Sequence, residues 1–205
     1  MAPVHRHGEG DPGEDIHLDA HLDTVLVGGR EARPVVLAGP DPRWPHVYEH
    51  HRRALAGLLG DRARRIDHVG STAVPGLAAK TIVDIQLTVE EPEDDELVAL
   101  LEAARYPLRV REPGHRMFRT PDGAVQVHVW RAGSDDERRH VLFRDWLRRD
   151  PDDRVRYEAT KRALAARRWR DTNYYAEAKG PVIREIMARA ERWAATSGWR
   201  LEEPR

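Results

Sequence analysis

The densest run of residues able to do chemistry is His68-Val69-Gly70-Ser71-Thr72, followed by Lys80 and Asp84. A strand that delivers the chain into Gly70-Ser71-Thr72 leaves only small residues at the turn. Backbone N–H groups and hydroxyls there can approach an anion closely. Lys80 adds positive charge, and Asp84 offers a carboxylate able to hold a divalent cation that bridges phosphate oxygens. Phosphate cradle, cation and metal carboxylate are the parts that phosphoryl or nucleotidyl transfer requires. Ordinary Gly-Ser turns and lone strand aspartates at the surface produce the same spacing, so the pattern admits both readings.

Those residues need elements to hold them. From Thr81 to Val89, apolar Val83, Ile85, Leu87 and Val89 alternate with polar Asp84, Gln86 and Thr88. That period of two predicts a strand with one core face and one wet face. Residues 64–69 predict the strand that feeds the Gly-Ser turn. Trp44, Val47, Tyr48, His51, Leu55, Leu58 and Leu59 recur at helical spacing, with Gly60 as a stop. Residues 35–37 read as a strand before the turn at Gly39-Pro40-Asp41-Pro42, and residues 93–105 as a helix. Residues 115–120 and 124–130 flank Pro121-Asp122-Gly123 as a hairpin, whose second strand places Gln126 and His128 on one face. Beyond about Asp136 the pattern is helical to the end, with Gly180-Pro181 breaking one helix and opening another.

Mixed strands and helices followed by a helical tail argue for an α+β fold. The expected organisation is a partly flexible extension over residues 1–32, a core over 33–135, and a helical part over 136–205 packed on it. Within the extension, residues 25–27 could dock as an added strand, and the scattered histidines are expected to have only incidental metal affinity. The 34 basic and 35 acidic residues leave a net charge of -1, which gives no global pull toward nucleic acid or an anionic membrane. Nucleic acid is therefore not an expected partner. The absence of cysteine excludes disulfides, thiolate metal sites and cysteine nucleophiles. No apolar run reaches the ~18 residues of a membrane span, and the first residues lack the apolar core of a signal peptide, so a cytoplasmic protein is expected. Lysine occurs only at positions 80, 161 and 179.

The run HVGSTAVPGLAAK and the following strand bearing Asp84 resemble the signature of the GrpB family. The resemblance extends upstream to Asp41-Pro42-Arg43-Trp44. Downstream it takes in Val127-His128-Val129, residues 142–148, Tyr157 with Lys161, and Tyr175 with Lys179. It implies a nucleotidyltransferase-like mixed β-sheet core flanked by helices, with a helical C-terminal part. Similar domains are also found fused to dephospho-coenzyme A kinases. Active nucleotidyltransferases carry two carboxylates alternating on the strand after the Gly-Ser turn and a third on a later strand. Here Asp84 takes the first position, Gln86 the second, and Gln126 and His128 stand on the later strand. A neutral amide is a weak magnesium ligand, so the standard two-magnesium arrangement is not expected. The candidate metal set is Asp84, Gln86 and His128, a mixture that suits zinc, manganese or iron better than magnesium. Asp84 and His128 are the candidate catalytic pair, since imidazole titrates near neutrality.

The candidate ligand-binding residues are Gly70, Ser71, Thr72, Lys80, Arg116, Arg144, Lys161 and Lys179. Arg116 is expected to face the cleft, with Arg119 on the opposite face by parity. Arg144 either enters the cleft or pairs with Asp145. Lys161 and Lys179 each share a helix face with a tyrosine four residues earlier. Trp44, Trp146, Trp169 and Trp193 are expected as packing anchors. The expected partner is an anionic or phosphorylated small molecule, with a divalent metal ion as candidate cofactor. Two functions remain open: a metal-dependent transferase-like enzyme, or a non-catalytic binding or accessory module that retains the fold with a degenerate site.

Overall fold

A computed structural model describes residues 12–202; the expected flexibility of residues 1–11 and the histidines His5 and His7 lie outside them. Five strands, β1 (Arg65–Val69), β2 (Val83–Val89), β3 (Leu108–Glu112), β4 (His115–Arg119) and β5 (Val125–Arg131), form one mixed sheet in the order β1-β2-β5-β4-β3. β2 and β5 run parallel at its centre, and the remaining pairs are antiparallel. A parallel pair needs a crossover, supplied by α3 (Asp95–Ala103) and the β3–β4 hairpin. The fold is α+β.

Register sets two unlike faces. Val83, Ile85 and Leu87 lie opposite Val125, Val127 and Val129. Together they pack beneath α2 (Trp44–Leu59) and α3, with Leu55, Leu101 and Phe118 fully buried among them. Each such side chain contributes about 1.5–3 kcal/mol relative to exposure.

The alternating polar face is not wet along its length. It faces a helical layer made of α4 (Asp135–Arg149), α5 (Pro151–Ala165), α6 (Thr172–Glu177) and α7 (Gly180–Ser197). Gln86 and Thr88 are completely buried, and buried polar groups require partners. Glu137, itself 1% exposed, supplies them. Its backbone carbonyl accepts from the Gln86 amide at 3.1 Å, and its carboxylate accepts from Thr88 and Arg65, both at 2.8 Å. The same carboxylate takes the Gly133 N–H at 2.7 Å, while Ser134 caps α4 by accepting from the Glu137 N–H. A capping-box sequence therefore also pins the helix to the sheet.

The N-terminal extension departs from expectation. Residues 12–25 form a helix, α1 (Pro12–Val25), with Leu22 and Val25 buried. Asp19 on it meets Arg30, Arg170 and Tyr174. Residues 25–27 make only a single bridge, Leu26 to Val110 on edge strand β3. Residues 35–37 are not a strand; the nearby pairing is one Ala38–Ala79 bridge. No helix among the described residues is long and apolar enough to cross a membrane.

Removing the Glu137 carboxylate leaves Thr88 and the Gly133 N–H without their acceptor, while Arg65 loses one partner and keeps Asp67 and the Glu202 carbonyl. Glu137→Ala should lower the unfolding free energy by about 2–4 kcal/mol, the cost of unsatisfied buried polar groups at about 1–3 kcal/mol each. Glu91→Ala, which breaks an exposed pair with Arg131, should cost less than about 1 kcal/mol. Urea denaturation of the two variants checks the difference.

Candidate functional site

β1 ends at Val69, directly opposite Asp84 on β2. The next residue, Gly70, has φ +71°, and a Cβ placed there would stand 2.4 Å from the Asp84 carboxylate oxygen Oδ2. Only glycine both adopts this backbone easily and leaves space for the carboxylate. Ser71–Ala73 then make one 3₁₀ turn that brings the Ser71 hydroxyl beside Asp84's end of the sheet.

Here the helical layer stands off the sheet and leaves a cavity of about 390 Å³. Gly70, Ser71, Lys80, Asp84, Gln126, His128, Lys161 and Lys179 all line it. Every lysine of the chain is thus in one pocket. Lys161 reaches across from α5 and donates to Ser71 Oγ at 3.1 Å and to the Ala78 carbonyl, with its ammonium 4.8 Å from the centre of the Tyr157 ring. Lys80 and Lys179 approach the Tyr175 ring at 5.7 and 5.0 Å. Burial lowers the pKa of all three ammonium groups, and Lys179's charge lowers the other two further. Lys161 falls to about 7. The Asp84 charge acts in the opposite sense on Lys80 and Lys179. Three crowded cations facing one carboxylate favour entry of an anion, which would relieve both burial and mutual repulsion.

His128 Nε2 lies 3.7 Å from Asp84 Oδ1. That separation fits one oxygen and one nitrogen donor to a single cation at ~2.0–2.2 Å each. Among the described residues no group of three or more His, Asp or Glu side chains is arranged to hold a metal ion. Asp84 and His128 therefore suit a cation shared with ligand oxygens better than one caged by protein. His140, from α4, completes this wall; burial pushes its imidazole down to about 4.

Other expected site residues lie elsewhere. Gln86 is sealed beneath α4 and does not reach the pocket, because its end of the polar face is closed by Glu137. Thr72 turns to the opposite side of the loop, where its hydroxyl lies 3.0 Å from His68 Nε2. That side opens on a separate groove bordered by Trp44, Tyr48 and Arg148. His68 stacks on Tyr48 with centroids 4.9 Å apart, and burial lowers its pKa to about 4. Arg116 pairs with Val129 and so belongs to the apolar face, where it donates to the Glu112 and His115 carbonyls. Arg119 pairs with Gln126 on the pocket face, the reverse of the expected parity, and is held by Glu31. Phe118 decides this: its burial in the core carries Arg116 to the same side. Arg144 is outside the pocket and ties α4 to β1 through the His68 carbonyl and Asp67, while pairing with Asp145.

The carboxylate contact at Gly70 can be separated from its backbone strain, because φ +71° with ψ −170° is costly for any residue with a Cβ whatever stands nearby. Gly70→Ala should destabilise the wild type by more than it destabilises an Asp84→Ala background, since the carboxylate must move only in the former. Equal losses in the two backgrounds, by thermal or urea denaturation, would remove the close-approach argument.

Residues 34–189 match the family model described as GrpB protein. The chain is 50% identical to a UPF0157 protein of Streptomyces coelicolor over 167 residues, which is 80% of this chain and 89% of the other. It is 37% identical to a dephospho-CoA kinase of Mycolicibacterium paratuberculosis over 82% of this chain, but spans only 48% of that protein. A crystal structure of the conserved protein GrpB from Enterococcus faecalis superposes with a TM-score of 0.67 at 29% identity, covering 77% of this chain and 99% of that one. The family model spans all five strands and the Gly-Ser loop, and the chain belongs to the GrpB family.

Proposed function

We propose that this GrpB-family chain binds a phosphorylated small molecule of the nucleotide class in the lysine pocket. The observation that carries the reading is the convergence of Lys80, Lys161 and Lys179 on one cavity beside Ser71 and Asp84. Ser71 and the Gly70 turn face the phosphate, Lys80 and Lys179 neutralise it, and Lys161 braces the loop while adding charge. Asp84 and His128 together can share a divalent cation with phosphate oxygens. Such a cation would neutralise charge developing in a group transfer. In a metal-free transferase reading His128 instead accepts or returns a proton at the reacting oxygen. Relatives named dephospho-CoA kinase carry a half similar to this chain, which suits a ligand of the same phosphorylated class.

A second reading rests on Gln86. It is a neutral amide sealed away from the pocket, and Asp84 is the one acidic residue among those lining the pocket, which favours a module that binds its ligand without turning it over. Calorimetric titration with ATP and with pyrophosphate, each with and without Mn²⁺, tests both. Lys179→Met and Lys80→Met should each weaken binding about tenfold or more, the loss of one charge-assisted contact. Asp84→Asn should abolish the Mn²⁺ enhancement while leaving metal-free binding intact. Mn²⁺-dependent turnover lost in Asp84→Asn supports the enzyme; binding without turnover supports the module. No binding of either anion by the wild type sinks the proposal.

The pH dependence has a definite sign. Lys161 is charged below about 7 and loses its proton above it in the free protein. An entering anion must then restore that proton, so affinity should fall as pH rises above 7, by up to about tenfold per unit for one proton. Titrations between pH 6.5 and 9 check the slope, which Lys161→Met should flatten.

A further inference from the structure

A chain of contacts runs along the polar face from the outer strands into the pocket. Glu112 Oε2 on β3 lies 2.8 Å from His115 Nδ1. His115 Nε2 on β4 lies 3.3 Å from His128 Nδ1 on β5. His128 Nε2 then faces Asp84 Oδ1 at 3.7 Å. Stacking fixes the ring planes: His115 lies on Trp130 with centroids 3.9 Å apart and planes 8° from parallel, and the His128 ring is parallel to that of His115 to within 5°.

Donor and acceptor roles follow in order. An ionised carboxylate only accepts, so His115 carries its proton on Nδ1 and presents a lone pair at Nε2. His128 must then donate from Nδ1, which leaves its own lone pair on Nε2. Asp84 does not compete for a proton at that atom, because 3.7 Å is beyond hydrogen-bond reach. We propose that Glu112 and His115 are positioning residues that hold neutral His128 in the Nδ1–H form, delivering the Nε2 lone pair into the lysine pocket beside Asp84. The proposal deepens the reading of that pocket as a site where Asp84 and His128 share a cation, and it assigns work to two residues that line no part of it. Glu112 is steadied from its other oxygen by His21 of α1 at 3.0 Å, so a helix outside the family-matched residues 34–189 also supports the arrangement.

The test starts with ligand-free wild-type protein. Long-range ¹H–¹⁵N correlation spectra at pH 8, with His128 assigned by its loss in His128→Asn, should show a proton on Nδ1 and none on Nε2. A predominant Nε2–H form, or an even mixture, overturns the proposal whatever the pocket binds. His115→Phe preserves a flat ring against Trp130 but removes the acceptor. It should release His128 to the Nε2–H form and weaken Mn²⁺ binding by about 10–100-fold, the usual effect of losing a residue that orients a ligand. Unchanged tautomer and unchanged Mn²⁺ affinity in a folded His115→Phe variant would also overturn it. If wild type binds no Mn²⁺, the cation reading of the pocket fails, and the tautomer measurement still decides this inference.

Discussion

Covering the polar face of a sheet with helices is the constraint around which this molecule is arranged. A strand alternating Asp84, Gln86 and Thr88 would rest comfortably against water. Here a helical layer excludes water from part of it, so each buried polar atom needs a protein partner or costs stability. Glu137 solves this at one end by bonding Gln86, Thr88, Arg65 and the Gly133 N–H together. At the other end the helices stand clear, and the polar groups of β2 and β5 face a cavity. One surface is thus divided into a sealed structural half and an open half able to meet a ligand.

Lys161 braces the open half mechanically. Its ammonium, almost fully buried, ties α5 to the loop after β1 through Ser71 and the Ala78 carbonyl. The loop's shape depends on that tie and on Gly70, which lets Asp84 approach its backbone. Burial is the first cause of the lowered pKa of Lys80, Lys161 and Lys179, and the charge of Lys179 lowers Lys80 and Lys161 further. Aromatic rings soften the cost: Lys80 and Lys179 approach Tyr175, and Lys161 approaches Tyr157.

Much of the scaffold was legible in the residues. The period of two over β2, the helical spacing of α2 and the turn residues between β4 and β5 each carry a strong local signal. Weaker signals failed. β3 has only Leu108 and Val110 alternating with arginines, and α1 lacks a clear apolar stripe, so both owe their form to tertiary contact. The parity of β4 was misjudged because Arg116 and Met117 gave no decisive preference, whereas the demand of Phe118 for the core did. His115 and His140 carried no motif, and their neighbours come from other strands and helices.

The sequence by itself determined the α+β order, the glycine at the loop and the presence of three scarce lysines with Asp84 and His128, because these follow from local periodicity and residue type. It could not determine which polar residues share a space. Gln86 and Asp84 lie on the same face two residues apart, yet one is sealed by Glu137 and the other lines the pocket. That outcome depends on where α4 and α5 dock, and docking is fixed by packing among residues far apart in the chain, which no short stretch of sequence encodes.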